Sequence, residues 1–157
     1  MRIVICAVGR SRTGPLRTLF EEFAGRVEAT RLFGRCELRE VEERRALPAA
    51  ELKAREADLL AAAIPKNATI VALDARGQSL TSEAFATRLA KWRDGGTADL
   101  AFVIGGADGL DKSLIAKADM VVSLGAMTWP HLLVRVMLAE QIYRAATILQ
   151  GHPYHRG

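Results

Sequence analysis

Three histidines, His131, His152 and His155, are the side chains whose unperturbed pKa lies near neutrality, and all fall in the last 27 residues. A histidine so placed can take a proton from a weak acid at neutral pH. His131 follows Pro130 at the start of a helical pattern, a place that also suits a structural role. The tail His152-Pro153-Tyr154-His155-Arg156 is the more suggestive. Tyr154 can stack on a base and Arg156 can grip phosphate; the bland reading is a frayed terminus. Arg135 and Arg144, on one C-terminal helix, can pair with Glu140 or reach for an anion.

Two loops have the composition of ligand cradles. Gly105-Gly106-Ala107-Asp108-Gly109 carries three glycines in five residues, straight after an apolar strand. Glycine permits positive φ and close backbone approach, so a ligand or a chain crossing is expected there. If a ligand lies against Gly105, a valine at that position fills its space. Ser123-Leu124-Gly125-Ala126-Met127-Thr128-Trp129-Pro130-His131 is small and apolar at a strand end. Such a loop is costly at a surface unless a flat ligand ring or the chain itself covers it.

Other familiar sites fail on particular residues. Gly9-Arg10-Ser11-Arg12-Thr13-Gly14 has P-loop spacing, but Pro15-Leu16 stands where Lys-Ser/Thr is required. It also lacks the dinucleotide-binding Gly pattern; a plain strand–helix turn or phosphate contact by Arg10 and Arg12 remains. Asp74 ends a strand as a receiver-domain aspartate does, yet Ala7-Val8-Gly9 replaces the acidic residues that would hold magnesium. The carboxylates form no metal pattern. Cys6 and Cys36 are too far apart in sequence for a metal motif and are expected to be ordinary buried thiols.

The elements that must position these loops alternate along the chain. Strand-like runs cover Ile3–Val8, Cys36–Val41, Thr69–Leu73, Leu100–Ile104 and Met120–Leu124. Helical spacing starts at Pro15, at Pro48 and after a Thr81 or Ser82 cap, with a short helix over Asp111–Lys117 and a long one over Pro130–Leu149. This is an α/β fold with a mainly parallel sheet flanked by helices. Ligands then sit at the carboxyl ends of the strands, at Gly9–Gly14, Asp74–Gln78, Gly105–Gly109 and Gly125–Pro130. Glu40–Arg45 reads as a solvated turn.

Composition sets outer limits. At 157 residues and 50% hydrophobic content the expectation is one domain, 1–157, with a real core. No apolar run is long enough to span a membrane, and the first apolar stretch ends at Gly9-Arg10, so a strand and a cytoplasmic location are expected. The net charge of +4 leans toward an anionic partner. Its 17 arginines against 5 lysines suit phosphate and bases, although a GC-rich genome produces the same bias.

The block from Ser123 to His131, followed by Leu133-Val134-Arg135-Val136, Glu140-Gln141-Ile142-Tyr143-Arg144-Ala145 and His152-Pro153-Tyr154-His155, resembles the RlmH family of SPOUT methyltransferases. Ile104-Gly105-Gly106, Gly109, the early Ala7-Val8-Gly9 and the length fit as well. Trp129 stands where the family has Phe or Leu, and Gly125 where Ser is frequent; neither removes a needed group. The resemblance implies a C-terminal trefoil knot, a homodimer and S-adenosyl-L-methionine as cofactor, without metal. It maps the cofactor onto Leu73, Gly105, Leu124, Gly125, Ala126, Met127, Thr128 and Trp129. It implies N3 methylation of a pseudouridine in 23S rRNA on the assembled ribosome, with Tyr154, His155 and Arg156 as the catalytic candidates. Two other functions stay open on the residues alone: a non-catalytic ribosome-binding factor, and a flavodoxin-like FMN-binding protein holding phosphate at Gly9–Gly14.

Overall fold

An uninterrupted apolar strand needs cover on both faces, and the first strand has it: Ile3, Val4, Ile5, Cys6 and Ala7 are wholly buried. The computed structural model describes residues 1–155. In chain order the elements are β1 (Arg2–Val8), α1 (Pro15–Ala29), β2 (Cys36–Val41), α2 (Ala49–Ala63), β3 (Thr69–Ser79), α3 (Ser82–Asp94), β4 (Asp99–Ile104), α4 (Lys112–Lys117), β5 (Met120–Ser123) and α5 (His131–Leu149). The sheet order is β2-β1-β4-β3-β5. Every pairing is parallel.

Alternate residues of β1 feed two apolar layers, as the period of a strand dictates. Ile3, Ile5 and Ala7 meet Phe20 and Val27 of α1, Phe85 and Leu89 of α3, and Ala139 and Ile142 of α5. Val4, Cys6 and Val8 meet Ala57 and Leu60 of α2 and Leu114 of α4. Helix α5 packs against both α1 and α3. Cys6 and Cys36 are free and buried; burial pushes their thiols up to about 11 and about 12, so both stay protonated and inert. Among the described residues no helix is long and apolar enough to cross a membrane.

The caps follow local chemistry. Thr81 accepts a hydrogen bond from the Ala84 amide at 3.1 Å, and Asp111 accepts one from Ser113 at 2.8 Å. Pro15 opens α1 and Pro130 precedes α5.

Two sequence expectations change. Asp74–Gln78 is not a free loop: β3 continues to Ser79 with a register shift between Leu73 and Gln78, then pairs Gln78 with Val122 and Ser79 with Ser123. The polar segment bulges because edge pairing with β5 resumes only after the shift. The turn expected over Glu40–Arg45 begins later: Glu40 and Val41 belong to β2, as the strand-like run Cys36–Val41 has it, and Glu40 is drawn in by Arg135, its Oε1 2.5 Å from Nη1.

Gly77 lies where this bulge crosses β5. A Cβ there would come within 2.7 Å of the backbone carbons of Val121 and Val122. Gly25, inside α1, has open space around its own Cβ position. Gly77→Ala is therefore expected to lower unfolding free energy by about 1–3 kcal/mol or more through forced backbone displacement. Gly25→Ala should raise it by about 0.5–1 kcal/mol. Urea denaturation of the two variants checks the pair; equal stabilities would show that the crossing is not tight.

Candidate active site

The carboxyl ends of β3, β4 and β5 meet around a cavity of about 400 Å³. That size falls within the roughly 300–1,000 Å³ of small-molecule sites. Seven of the eight residues expected to hold the cofactor line it: Leu73, Gly105, Leu124, Gly125, Met127, Thr128 and Trp129. Ala126 lies in the same loop, between Gly125 and Met127, but is not part of the lining. Asp74, Arg76, Ile104, Val134 and His131 complete much of the wall.

The loop after β5 is shaped by its own side chain. Ser123 Oγ accepts from the Gly125 amide at 3.1 Å and donates to the Gly125 carbonyl at 3.0 Å. Gly125 itself has φ +116°, a backbone state that L side chains rarely adopt. This tight ring throws Met127 and Trp129 outward, 71% and 38% exposed. Exposed apolar side chains rimming a cavity are what a flat ligand ring would cover.

Gly105 lines the cavity, and of the two roles expected for its loop, ligand cradle or chain crossing, its contacts show close packing of the chain. A Cβ at Gly105 would meet Gly109 C at 2.6 Å and Leu110 N at 2.7 Å. The space beside it is filled by its own loop, which closes through Gly109 N–H to the Gly106 carbonyl at 3.1 Å. A valine there would break the turn rather than fill ligand space.

Charge in the cavity is arranged by pairs. Arg76 bonds both carboxylate oxygens of Asp74, at 2.8 and 3.0 Å. That contact holds the Asp74 carboxyl below its ordinary range. Burial first, then the Arg135 charge, holds His131 below its ordinary value. At neutral pH the wall thus offers an ionised aspartate and an uncharged imidazole. Among the described residues no group of three or more His, Cys, Asp or Glu could hold a metal ion.

Arg135 is 2% exposed and is the largest fully buried side chain. It does not meet Glu140. It pairs with Glu40 at 2.5 Å, and its Nη2 donates to the carbonyls of Val8 and Gly9. Arg144 does pair with Glu140, at 2.5 Å. Sequence reasoning missed the Glu40–Arg135 pair. Its one signal was the place of Arg135, four residues before the inward-facing Ala139 on a helix.

Tyr154 and His155 are held by contacts of their own, and neither lines this cavity. The Tyr154 hydroxyl donates to Glu140 Oε1 at 3.1 Å, and its ring lies 4.8 Å from that of Tyr143. Burial, with Glu140 next, raises its phenol above the usual value, which makes Tyr154 a donor rather than a base. His155 Nε2 lies 2.7 Å from Glu83 Oε1, while its buried Nδ1 has no partner. Arg156 lies outside the described residues. Tyr154 and His155 therefore come together with each other's supports on α3 and α5, while His131 joins the candidate cofactor loops.

Residues 1–155 match a family described as "Predicted SPOUT methyltransferase". The chain is 59% identical over 156 residues to the ribosomal RNA large subunit methyltransferase H of Rhodospirillum centenum, covering 99% of each chain. It is 50% identical over 156 residues to the protein of that name from Paramagnetospirillum magneticum, again covering 99% of each. Among solved structures, a probable methyltransferase from Bordetella pertussis superposes with a TM-score of 0.53 at 19% identity, covering 92% of this chain and 95% of that one. A probable methylase family protein from Haemophilus influenzae gives 0.53 at 13% identity, covering 99% of this chain and 70% of that one. At those identities the two structures speak for the fold alone. The sequence matches reach further, and on them the chain belongs to the ribosomal RNA large subunit methyltransferase H family of SPOUT methyltransferases.

Proposed function

We propose that this protein transfers a methyl group from S-adenosyl-L-methionine to N3 of a pseudouridine in 23S rRNA on the assembled ribosome. In this reading residues 1–157 act as a single methyltransferase domain, as a cytoplasmic homodimer, with the C-terminal segment knotted through the strand-end loops. The observation that carries it is the coincidence of a full-length relative bearing the rRNA methyltransferase name with a cavity built from the loops expected to bind the cofactor. The close crossing at Gly77, where β5 leaves no room for a Cβ, is consistent with the knot. An FMN carrier would use phosphate contacts at Gly9–Gly14, and none of those residues lines the cavity.

The residues suit the cofactor. It supplies a methyl group already activated by a sulfonium. The Asp74 carboxylate offsets the Arg76 charge in the wall, and neutral His131 adds no positive one to oppose the cation. Leu124, Val134 and Trp129 offer apolar cover for an adenine, and backbone groups of the glycine loops offer its hydrogen bonds. For the weakly acidic N3–H, His155 is the proposed base. Glu83 on its Nε2 orients the ring. Tyr154 is proposed to stack on or donate to the base, and Arg156 to grip phosphate.

The dimer reading rests on a second, larger hollow of about 690 Å³ between α1, α3 and α5, lined by Leu19, Phe23, Leu80, Phe85, Leu133 and Val136. It adjoins Glu140, the partner of Tyr154. A second copy seated there would cover apolar surface and bring its tail toward a neighbouring cofactor site. Light scattering at micromolar concentration is expected to give twice the 17.1 kDa chain mass; a stable monomer would remove the dimer.

Calorimetry with S-adenosylhomocysteine should show micromolar affinity, about −8 kcal/mol. Trp129→Ala should weaken it at least tenfold without unfolding the chain, since the indole is partly exposed. Unchanged affinity would move the cofactor out of this cavity.

Deleting residues 152–157 should leave cofactor affinity largely intact. Methyl transfer to 23S rRNA in ribosomes should fall at least 100-fold, about 2.7 kcal/mol of lost transition-state positioning. His155→Ala should lose activity at pH 7 and recover part of it at pH 9, where more N3–H ionises unaided, if the imidazole is the base. Near-normal activity of the deletion at pH 7 would assign the chemistry to His131, Arg135 or the RNA itself.

A further inference from the structure

Arginines at the carboxyl end of the sheet are mostly neutralised by a carboxylate. Arg45 and Arg55 share Glu43 at 2.9 and 3.2 Å, Arg44 lies 3.7 Å from Glu42, and Arg76 is paired with Asp74. Arg10 and Arg12 differ. Both are exposed, and among the described residues neither has an acidic partner within 4.0 Å. Nearby Glu40 is taken by Arg135 at 2.5 Å and Arg17 at 3.5 Å.

The loop that carries them is fastened from below. The Ser11 amide donates to Glu40 Oε1 at 2.8 Å, and the Gly9 amide donates to the Val41 carbonyl at 2.8 Å. The Val8 and Gly9 carbonyls accept from buried Arg135. Ser11 is half-buried while Arg10, Arg12 and Thr13 face solvent. Fixing the backbone in advance reduces the entropy lost when the guanidinium groups engage a partner. The loop also adjoins the cofactor cavity: the Cβ position of Gly9 lies 2.9 Å from Nε2 of His131, which lines that cavity.

We infer that Arg10 and Arg12 form an arm that grips the phosphate backbone of the rRNA beside the cofactor cavity, on a loop pegged by Glu40 and Arg135. The inference rests on the proposed rRNA substrate. Two unneutralised planar forks, displayed together next to the reacting centre, match a polyanion that must be held in register with the methyl group. Phosphate contacts of this kind position without reading sequence, so the arm contributes affinity and register and leaves base choice to the cavity and the tail.

The test uses the full-length protein with Arg10→Gln/Arg12→Gln and the charge-keeping Arg10→Lys/Arg12→Lys. Equilibrium binding to purified ribosomes is measured across a salt series, alongside methyl transfer and S-adenosylhomocysteine affinity. The glutamine pair should keep its stability and S-adenosylhomocysteine affinity. Its slope of log K against log salt should shrink by roughly 1.4, about 0.7 for each lost contact with single-stranded phosphate. KM for ribosomes should rise at least tenfold with kcat within twofold of the wild type, and the lysine pair should restore most of the salt slope. A glutamine pair with wild-type KM and salt slope would overturn the arm while leaving the methyltransferase reading intact. Wild-type protein that binds ribosomes through these arginines yet transfers no methyl would keep the arm and sink the reaction; wild type that binds no ribosomes would overturn both.

Discussion

A guanidinium taken out of water needs an anion and acceptors for its N–H groups, because the uncompensated cost of burial is several kcal/mol. Arg135 is buried between α5 and the ends of β1 and β2, and receives the Glu40 carboxylate and the Val8 and Gly9 carbonyls. Burial still lowers its pKa, with Glu40 opposing the shift, and Nε remains without a partner. Such a pair is a poor source of net stability compared with apolar packing, but a demanding constraint on geometry. Sliding α5 by one residue would strand the charge. The pair therefore fixes the register of the helix that begins immediately after the candidate cofactor loop, and so the place of His131.

From that fixed register the cavity follows. Its walls are strand ends, whose positions the parallel ladder sets, and two glycine turns, one closed by the Gly109–Gly106 backbone bond and one by Ser123 Oγ on Gly125. Gly105 is needed because its own loop passes within contact distance, and Gly77 because β5 does. The small residues at these points are packing requirements first. They leave the hollow lined mainly by backbone and apolar side chains, which suits recognition of a ligand by shape with few charged groups.

Most of the sheet was legible in the sequence because buried parallel strands are continuous apolar runs, and helix starts were marked by Pro15, Pro130 and the Thr81 and Asp111 caps. The β1 and β2 limits and the Thr81 cap came from such local signals. The extension of β3 through Asp74–Ser79 was not legible, since a polar bulge at a sheet edge has no periodicity of its own. The candidate cofactor loops were singled out by resemblance and glycine content, which left open whether a ligand or the chain itself fills the space at Gly105; the chain does. The Glu40–Arg135 pair was missed because 95 residues separate its partners, and each alone reads as surface charge. The placement of Tyr154 and His155 was not legible, since only the folded chain reveals Glu140 and Glu83 as their supports.

The distribution of positive charge gives these pieces a common logic. A sulfonium cofactor and a phosphate-rich substrate make opposite demands on neighbouring surfaces. Guanidinium groups favour the RNA but repel the cofactor when close and poorly screened. Here buried Arg135 is paired with Glu40, Arg76 in the cavity wall is paired with Asp74, and His131 is held neutral. The unneutralised pair, Arg10 and Arg12, is displaced onto a solvent-facing loop, where water weakens its repulsion of the cofactor while RNA phosphates remain in reach. The same buried Arg135 that needs Glu40 for its own charge also fastens that loop, so neutralising the interior and presenting charge at the rim are two consequences of one ion pair.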